Sequence, residues 1–243
     1  MVKLEKCPIC EAVEIRPSHQ SFGELPILVD YGFGKLGASV SVSYSECLRC
    51  GVEFQNPRMP DDDVTKFYSE GFYRKAIKAT EKEMDLDEFN RAERITGKIS
   101  RFYEGKLLPN SCLDFGCGKG HLVTQLSAKF PDAAVNGVDY DWDYTDIVQR
   151  DSDYMLDLIT LIHSLEHVIS PLDILDSLVE RFEEGGHLVI EVPSSTAIGG
   201  AYRLAHTFVF TAPSLVYLCK LAGLEVLSIE ADNNNNIMVI CRK

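Results

Sequence analysis

Residues 113–120 read Leu113-Asp114-Phe115-Gly116-Cys117-Gly118-Lys119-Gly120. Asp114 closes a short apolar run, and three glycines follow at alternate positions. A strand that ends in a glycine-rich turn and opens a helix brings backbone N–H groups up to a ligand. Glycine suits such a turn because no Cβ blocks the approach and φ can be positive. Two phosphate readings fail on named residues. A dinucleotide fingerprint needs G-x-G-x-x-G, and counted from Gly116 the sixth position is His121. A phosphate loop needs a Lys-Ser/Thr pair after its last glycine, and Gly120 is followed by His121 and Leu122. Asp114, inside the turn region, suits a cationic ligand better than a pyrophosphate.

Outward from this turn the pattern alternates strand and helix. Strands are expected at 111–115, 134–138, 156–161 and 187–191, and helices near 119–129 and 171–182. That is an α/β, doubly wound parallel sheet. Strands at 224–230 and 237–242 are joined by only six residues, 231–236. So short a link forces an antiparallel pair, because parallel strands need a long crossover. The stretch between Asp139 and Asp157 is short, so a further strand and helix there must be abbreviated. Residues 233–236, all Asn, read as a turn.

Upstream, four of the eight cysteines form two C-x-x-C pairs, Cys7/Cys10 and Cys47/Cys50, with Gly51 after the second. Two such knuckles point to one tetrahedral Zn²⁺ with four thiolates, a filled and therefore structural site. Two disulfides or a redox dithiol are the other readings. The N-terminus has no apolar stretch of the kind that marks a signal peptide, which disfavours disulfides and suggests a cytoplasmic protein. The 36 residues between the pairs read as a hairpin: a strand at 27–33, a turn at 34–37, and an alternating strand at 39–45 with Val40, Val42 and Tyr44 on one face. Residues 57–110 read as helical. Asp61, Asp62 and Asp63 suit a helix N-terminus, and a second helix is expected near 84–103. The expected division is a zinc-ribbon-like module over 1–58, a helical linker or lid over 59–110 and a ligand-binding α/β domain over 111–243.

The net charge is −13, and residues 111–243, with 8 basic and 19 acidic side chains, carry −11 of it. No basic stripe stands ready to neutralise nucleic-acid phosphates, and no apolar run approaches the ~20 residues of a membrane span.

In a doubly wound sheet, ligands bind at the carboxyl ends of the strands. The strand at 134–138 ends on Asp139, 21 residues beyond Gly118, where a carboxylate can accept hydrogen bonds from both ribose hydroxyls. Tyr140 follows and is placed to pack on an adenosine. The next strand runs into Ile162-His163-Ser164-Leu165-Glu166-His167. His163 there can take a proton near neutral pH or position a substrate. Glu166 and His167 can fix the loop or cap the next helix. Further on, Ala205-His206-Thr207-Phe208 follows a loop with Gly199 and Gly200. His206 is a second base candidate, or a hydrogen bond that pins the loop.

The 113–120 stretch closely resembles the first motif of class I S-adenosylmethionine-dependent methyltransferases, where it wraps the amino-acid end of the cofactor. The segment 157–168 and the His206–Phe210 stretch resemble a subfamily associated with nucleotide sugars and surface polysaccharides. With the two knuckles and the 56–68 linker, the resemblance takes in nearly the whole chain. It implies a methyltransferase sheet with an antiparallel C-terminal hairpin and S-adenosylmethionine as cofactor. Asp114, Gly116, Cys117, Gly118 and Gly120 would hold the methionine end, and Asp139 and Tyr140 the adenosine. Cys7, Cys10, Cys47 and Cys50 would hold Zn²⁺, 194–206 would form a lid, and His163 or His206 would be the base. It also implies a small-molecule or carbohydrate acceptor. Lys119 departs from it, standing where a small polar residue is usual. An RNA-modifying enzyme and a non-catalytic scaffold are the competing readings; the near-neutral 1–60 segment and the complete motif oppose them.

Overall fold

The computed structural model describes residues 1–23, 40–69, 81–139, 155–197, 201–203 and 205–243. The expected strand at 27–33, the turn at 34–37 and Tyr140 lie outside them. A six-stranded mixed sheet forms the centre, ordered β5-β4-β6-β7-β10-β9. Its parallel strands are β4 (Ser111–Phe115), β5 (Ala134–Val138), β6 (Leu156–Ile162) and β7 (Phe182–Pro193). β10 (Asn236–Arg242) runs antiparallel to β7 and to the edge strand β9 (Glu225–Ala231).

Strand alternation loads both faces of this sheet. Cys112, Leu158, Val189, Met238 and Ile240 point to one side, where they meet Ala92, Ile95 and Ile99 of α2 (Glu81–Phe102) and Leu122 and Leu126 of α3 (His121–Lys129). Their sequence neighbours Leu113, Ile159, Leu188, Ile190, Val239 and Cys241 point to the other. There they meet Leu175 and Leu178 of α4 (Pro171–Val179) and Leu215 and Leu218 of α5 (Ala212–Leu221). Period-two burial on both faces is what a helix-covered sheet requires. Helices α4 and α5 both begin with a proline in the first turn, and Thr211 caps α5 in a reciprocal box with Ser214, the signals expected of helix starts.

The strand at 187–191 is longer than its apolar run, beginning at Phe182, so α4 stops at Val179 instead of reaching 182. Gly185 and Gly186 lie within it. A Cβ on Gly186 would come within 2.5 Å of the Phe182 ring and 2.9 Å of the Leu156 carbonyl. The register shifts here, between Leu156 and Leu158, so the glycines mark an irregularity inside the strand.

A second sheet, ordered β1-β2-β3-β8, joins the N-terminus to the C-terminal half. β1 (Ile15–Gly23) pairs with β2 (Val40–Cys47), β2 with β3 (Glu53–Gln55), and β3 with β8 (Phe208–Val209). β1 has no apolar alternation to announce it, and its Pro17 sits at a register shift on the sheet's edge, where a missing N–H is tolerated. Cys7, Ile9, Val52 and Phe54 belong to the same continuous core as Leu113, Ile159 and Phe208. Helix α1 (Asp61–Ser69) follows. Among the described residues no helix is long and apolar enough to cross a membrane.

Candidate active site

The chain moves from β4 to β5 on one side and then to β6 on the other, so the sheet order reverses beside β4. In open α/β sheets that reversal leaves a crevice at the strands' carboxyl ends. The 113–120 turn, Asp139, His163 and His206 all converge there, around a cavity of about 810 Å³.

One wall is the glycine turn. Gly116 has φ +82°, and a Cβ there would fall 2.1 Å from Ser164 Oγ and 2.7 Å from Ser164 Cβ. The turn therefore lies against the loop after β6 with no room for a side chain. The Gly118 N–H donates to Asp139 Oδ2 at 2.6 Å, so the ends of β4 and β5 are tied by a charge-assisted bond. Gly120, at φ +77°, is the N-cap of α3 and shapes the turn. Asp114 is buried, with one carboxylate oxygen receiving the Thr160 hydroxyl at 2.7 Å. Burial pushes its pKa up to about 7, against the pull of that hydrogen bond. The buried Cys117 packs under the turn, where a Cβ on Gly137 would touch its side chain at 2.8 Å; burial raises its thiol pKa, which leaves it a poor nucleophile. Lys119, the departure from the usual motif, reaches Asp85 of α2 at 3.2 Å, and His121 reaches the same carboxylate at 2.9 Å.

The opposite wall is built on histidines. His163 takes a positive φ of 54°, uncommon for a side-chain-bearing residue and concentrated at functional sites. Its N–H donates to the Glu191 carbonyl at 2.8 Å. Its Nε2 stands 3.3 Å from Glu191 Oε1, off the line of a hydrogen bond. Glu191, wholly buried on β7, receives both guanidinium NH₂ groups of Arg94 at 2.6 and 2.7 Å. Burial pushes Glu191 up, but Arg94 and His163 outweigh it and hold its pKa at about 2. Burial lowers the pKa of His163, with Glu191 working against it.

Glu166 lies in the 3₁₀ turn Leu165–His167, 1% exposed, and burial raises its pKa to about 8. His167 and His206 pack edge to face at 4.9 Å between ring centres. Burial lowers His167 to about 4 and His206 well below its ordinary value. The N-terminal sheet holds the loop around His206: the Tyr44 hydroxyl donates to the carbonyls of Arg203 and His206, and Gln55 Nε2 donates to the same two.

A family profile described as a methyltransferase domain matches residues 86–229. The chain belongs to the methyltransferase-domain family. No curated protein matches its sequence. Among solved structures, it is similar to a Nostoc punctiforme PCC 73102 protein described as a candidate O-methyltransferase, with TM-score 0.52 and 15% identity over 62% of this chain and 56% of that one. The chain thus spans just over half the length of the Nostoc protein. It is also similar to the [4+2]-cyclase SpnF, with TM-score 0.50 and 14% identity over 62% of this chain and 80% of SpnF. A third is an S-adenosylmethionine-dependent methyltransferase from Clostridium acetobutylicum ATCC 824, with TM-score 0.49 and 13% identity over 59% of this chain and 88% of that one. At such identities the likeness is one of fold, and one fold serves different reactions.

The cavity has room for S-adenosylmethionine. Its volume is within the usual range for small ligands. Gly116 and Gly118 line it beside Asp139, whose carboxylate is held by the Gly118 N–H. Asp114, Gly116, Cys117, Gly118, Asp139, His163 and His206 all line the cavity, whereas Gly120 does not.

The four knuckle cysteines form a separate cluster. Cys7 Sγ is 3.7 Å from Cys50 Sγ, and Cys10 Sγ is 3.5 Å from Cys47 Sγ. A tetrahedron with Zn–S bonds of ~2.3 Å has edges of about 3.8 Å, so the thiols have the right spacing. The knuckles are built alike. Glu11 N–H donates to the Cys7 carbonyl and Gly51 N–H to the Cys47 carbonyl, at 3.0 and 2.9 Å, and both residues have positive φ. Cys50 beside it lowers the Cys7 thiol to about 5.

Sequence reasoning missed Arg94, Glu191 and the cavity-facing Asn234 and Asn236. A visible signal was the lone carboxylate within the apolar run Val189-Ile190-Glu191-Val192, since a buried charge needs a partner.

Proposed function

We propose that this methyltransferase transfers the methyl group of S-adenosylmethionine to a hydroxyl of a small polar acceptor, of the sugar, nucleotide-sugar or glycan class. The observation that carries the reading is that the Gly116–Asp139 wall and a Glu191-braced His163 face one cavity. The cofactor supplies an already activated methyl group, so the chain has to align the reactants and remove a proton. In this reading the backbone from Gly116 to Gly118, with Asp114 beneath it, binds the methionine end. Asp139 orients the ribose. His163 is the base: it is about a fifth exposed toward the cavity, and Glu191 favours its protonated form once it holds the proton. His206 is the weaker base candidate, since it is 7% exposed and its Nδ1 is bonded to the Ala201 carbonyl. Asn234, Asn236, Arg91 and Arg203 line the cavity, which supports an acceptor rich in oxygen. The Cys7, Cys10, Cys47 and Cys50 thiols hold a structural Zn²⁺ that fixes the N-terminal sheet.

Calorimetric titration with S-adenosylmethionine tests the cofactor, and turnover with a panel of sugars and nucleotide sugars, read as S-adenosylhomocysteine release, tests the acceptor. Binding without turnover on any hydroxylated acceptor would overturn the substrate class.

A further inference from the structure

The acceptor side of the cavity gathers ligands that methyl transfer as described does not use. Glu166 is 1% exposed, and neither carboxylate oxygen has a hydrogen-bond partner among the described residues. A carboxylate stripped of water and left without donors is expensive. Its Oε1 lies 3.7 Å from His167 Nε2. One ligand atom each from Glu166, His167 and His206 lie within 4.8 Å of one another.

The histidines are set in a specific tautomer. His206 Nδ1 is 2.7 Å from the Ala201 carbonyl, and His167 Nδ1 is 2.8 Å from the Ala205 carbonyl. A carbonyl can only accept, so both Nδ1 atoms carry the proton and both lone pairs are on Nε2. The Tyr68 hydroxyl donates to the same Ala205 carbonyl at 2.6 Å, bracing that arrangement from α1. Ligand histidines are held in this way, with the second ring N–H given to a carbonyl.

We propose that Glu166, His167 and His206 bind one divalent first-row transition-metal ion. Two neutral imidazoles and one carboxylate suit such an ion and leave coordination positions open. The ion's binding stands apart from the methyl-transfer reading; its role rests on it. An acceptor hydroxyl in an open position would have its proton loosened, and that proton would pass to His163, whose Nδ1 is 3.7 Å from Glu166 Oε1.

The test is Mn²⁺ titration of the zinc-loaded full chain, followed by the paramagnetic resonance signal of free Mn²⁺, because a hard ion avoids the thiolate cluster. One Mn²⁺ per chain is expected. Glu166→Gln and His206→Gln should each weaken it beyond the ~10–100-fold typical of losing an outer partner. S-adenosylmethionine affinity, measured on the same samples, reports whether each variant is folded and judges the cofactor reading separately. Should Glu166→Gln fail to fold, His206→Gln decides. Absence of Mn²⁺ binding at millimolar concentration, or unchanged affinity in a folded variant, overturns the site.

Discussion

Arg94 and Glu191 meet as a two-point ion pair, with N–O distances of 2.6 and 2.7 Å, across 97 residues. Arg94 comes from α2, outside the parallel strands, and Glu191 from the middle of the sheet. The pair fixes the carboxylate that faces His163. Glu191→Gln keeps the shape but weakens the charge support for a protonated His163. We expect kcat to fall by about 10²-fold, the scale of one acid–base contribution, with a shifted pH–rate profile. Glu191→Ala leaves Arg94 with only the longer contact to Asp232 at 3.6 Å and should cost ~1–3 kcal/mol of stability, read by urea unfolding. A normal profile in Glu191→Gln would remove the carboxylate from the site's chemistry.

The same carboxylate sets an acid limit. Its folded pKa is about 2, below the ordinary 4.5. A depressed carboxylate contributes stability above its unfolded pKa, and that stability is lost as pH falls through 4.5 toward 2. Arg94 and His163 face it, and Asp232 lies 3.6 Å from Arg94. Unfolding midpoints measured against pH should therefore drop across this window in the wild type, and less steeply in Glu191→Gln.

Gly116→Ala should abolish tight cofactor binding, because its Cβ would overlap Ser164. The double variant Gly116→Ala/Ser164→Gly removes that overlap and should recover part of the affinity. The remaining deficit should be ~1–2 kcal/mol for a left-handed alanine. Asp139→Ala should weaken binding by about tenfold to a hundredfold, as lost hydrogen bonds to a charged group do. Calorimetry on the three variants separates shape from charge; unchanged affinity in Asp139→Ala would remove it from the ribose role.

The strands at 111–115 and 134–138 and the C-terminal antiparallel pair were legible because local alternation and short links decide them. The knuckles and the glycine turn were legible because their chemistry is written in adjacent residues. β1 was not, since its pairing with β2 is made by backbone bonds on residues with no apolar pattern. The extent of β7 was hidden because Gly185 and Gly186 imitate a turn. Arg94 with Glu191, and Tyr44 with the carbonyls of Arg203 and His206, join residues far apart in sequence. Only the fold brings them together, so no local spacing could announce them.

The link from Tyr44 to His206 makes the cysteine cluster matter to the cavity. Cys47 ends β2, which carries Tyr44; β3, which carries Gln55, begins three residues after Cys50. Both side chains hold the Arg203 and His206 carbonyls. Removing Zn²⁺ with a chelator, or Cys47→Ser, should free the 201–206 loop before it disturbs the glycine turn, which rests on β4, β5 and α3. The expected result is a raised acceptor KM and a lower kcat, with S-adenosylmethionine affinity largely retained. Metal analysis of the purified chain must show one Zn²⁺ per chain in the wild type and none in the variant. A metal-free wild type that folds and turns over normally would refute the structural ion. An equal loss of cofactor and acceptor binding would instead mean that the N-terminal sheet supports the whole core, of which Val52 and Phe54 are already part.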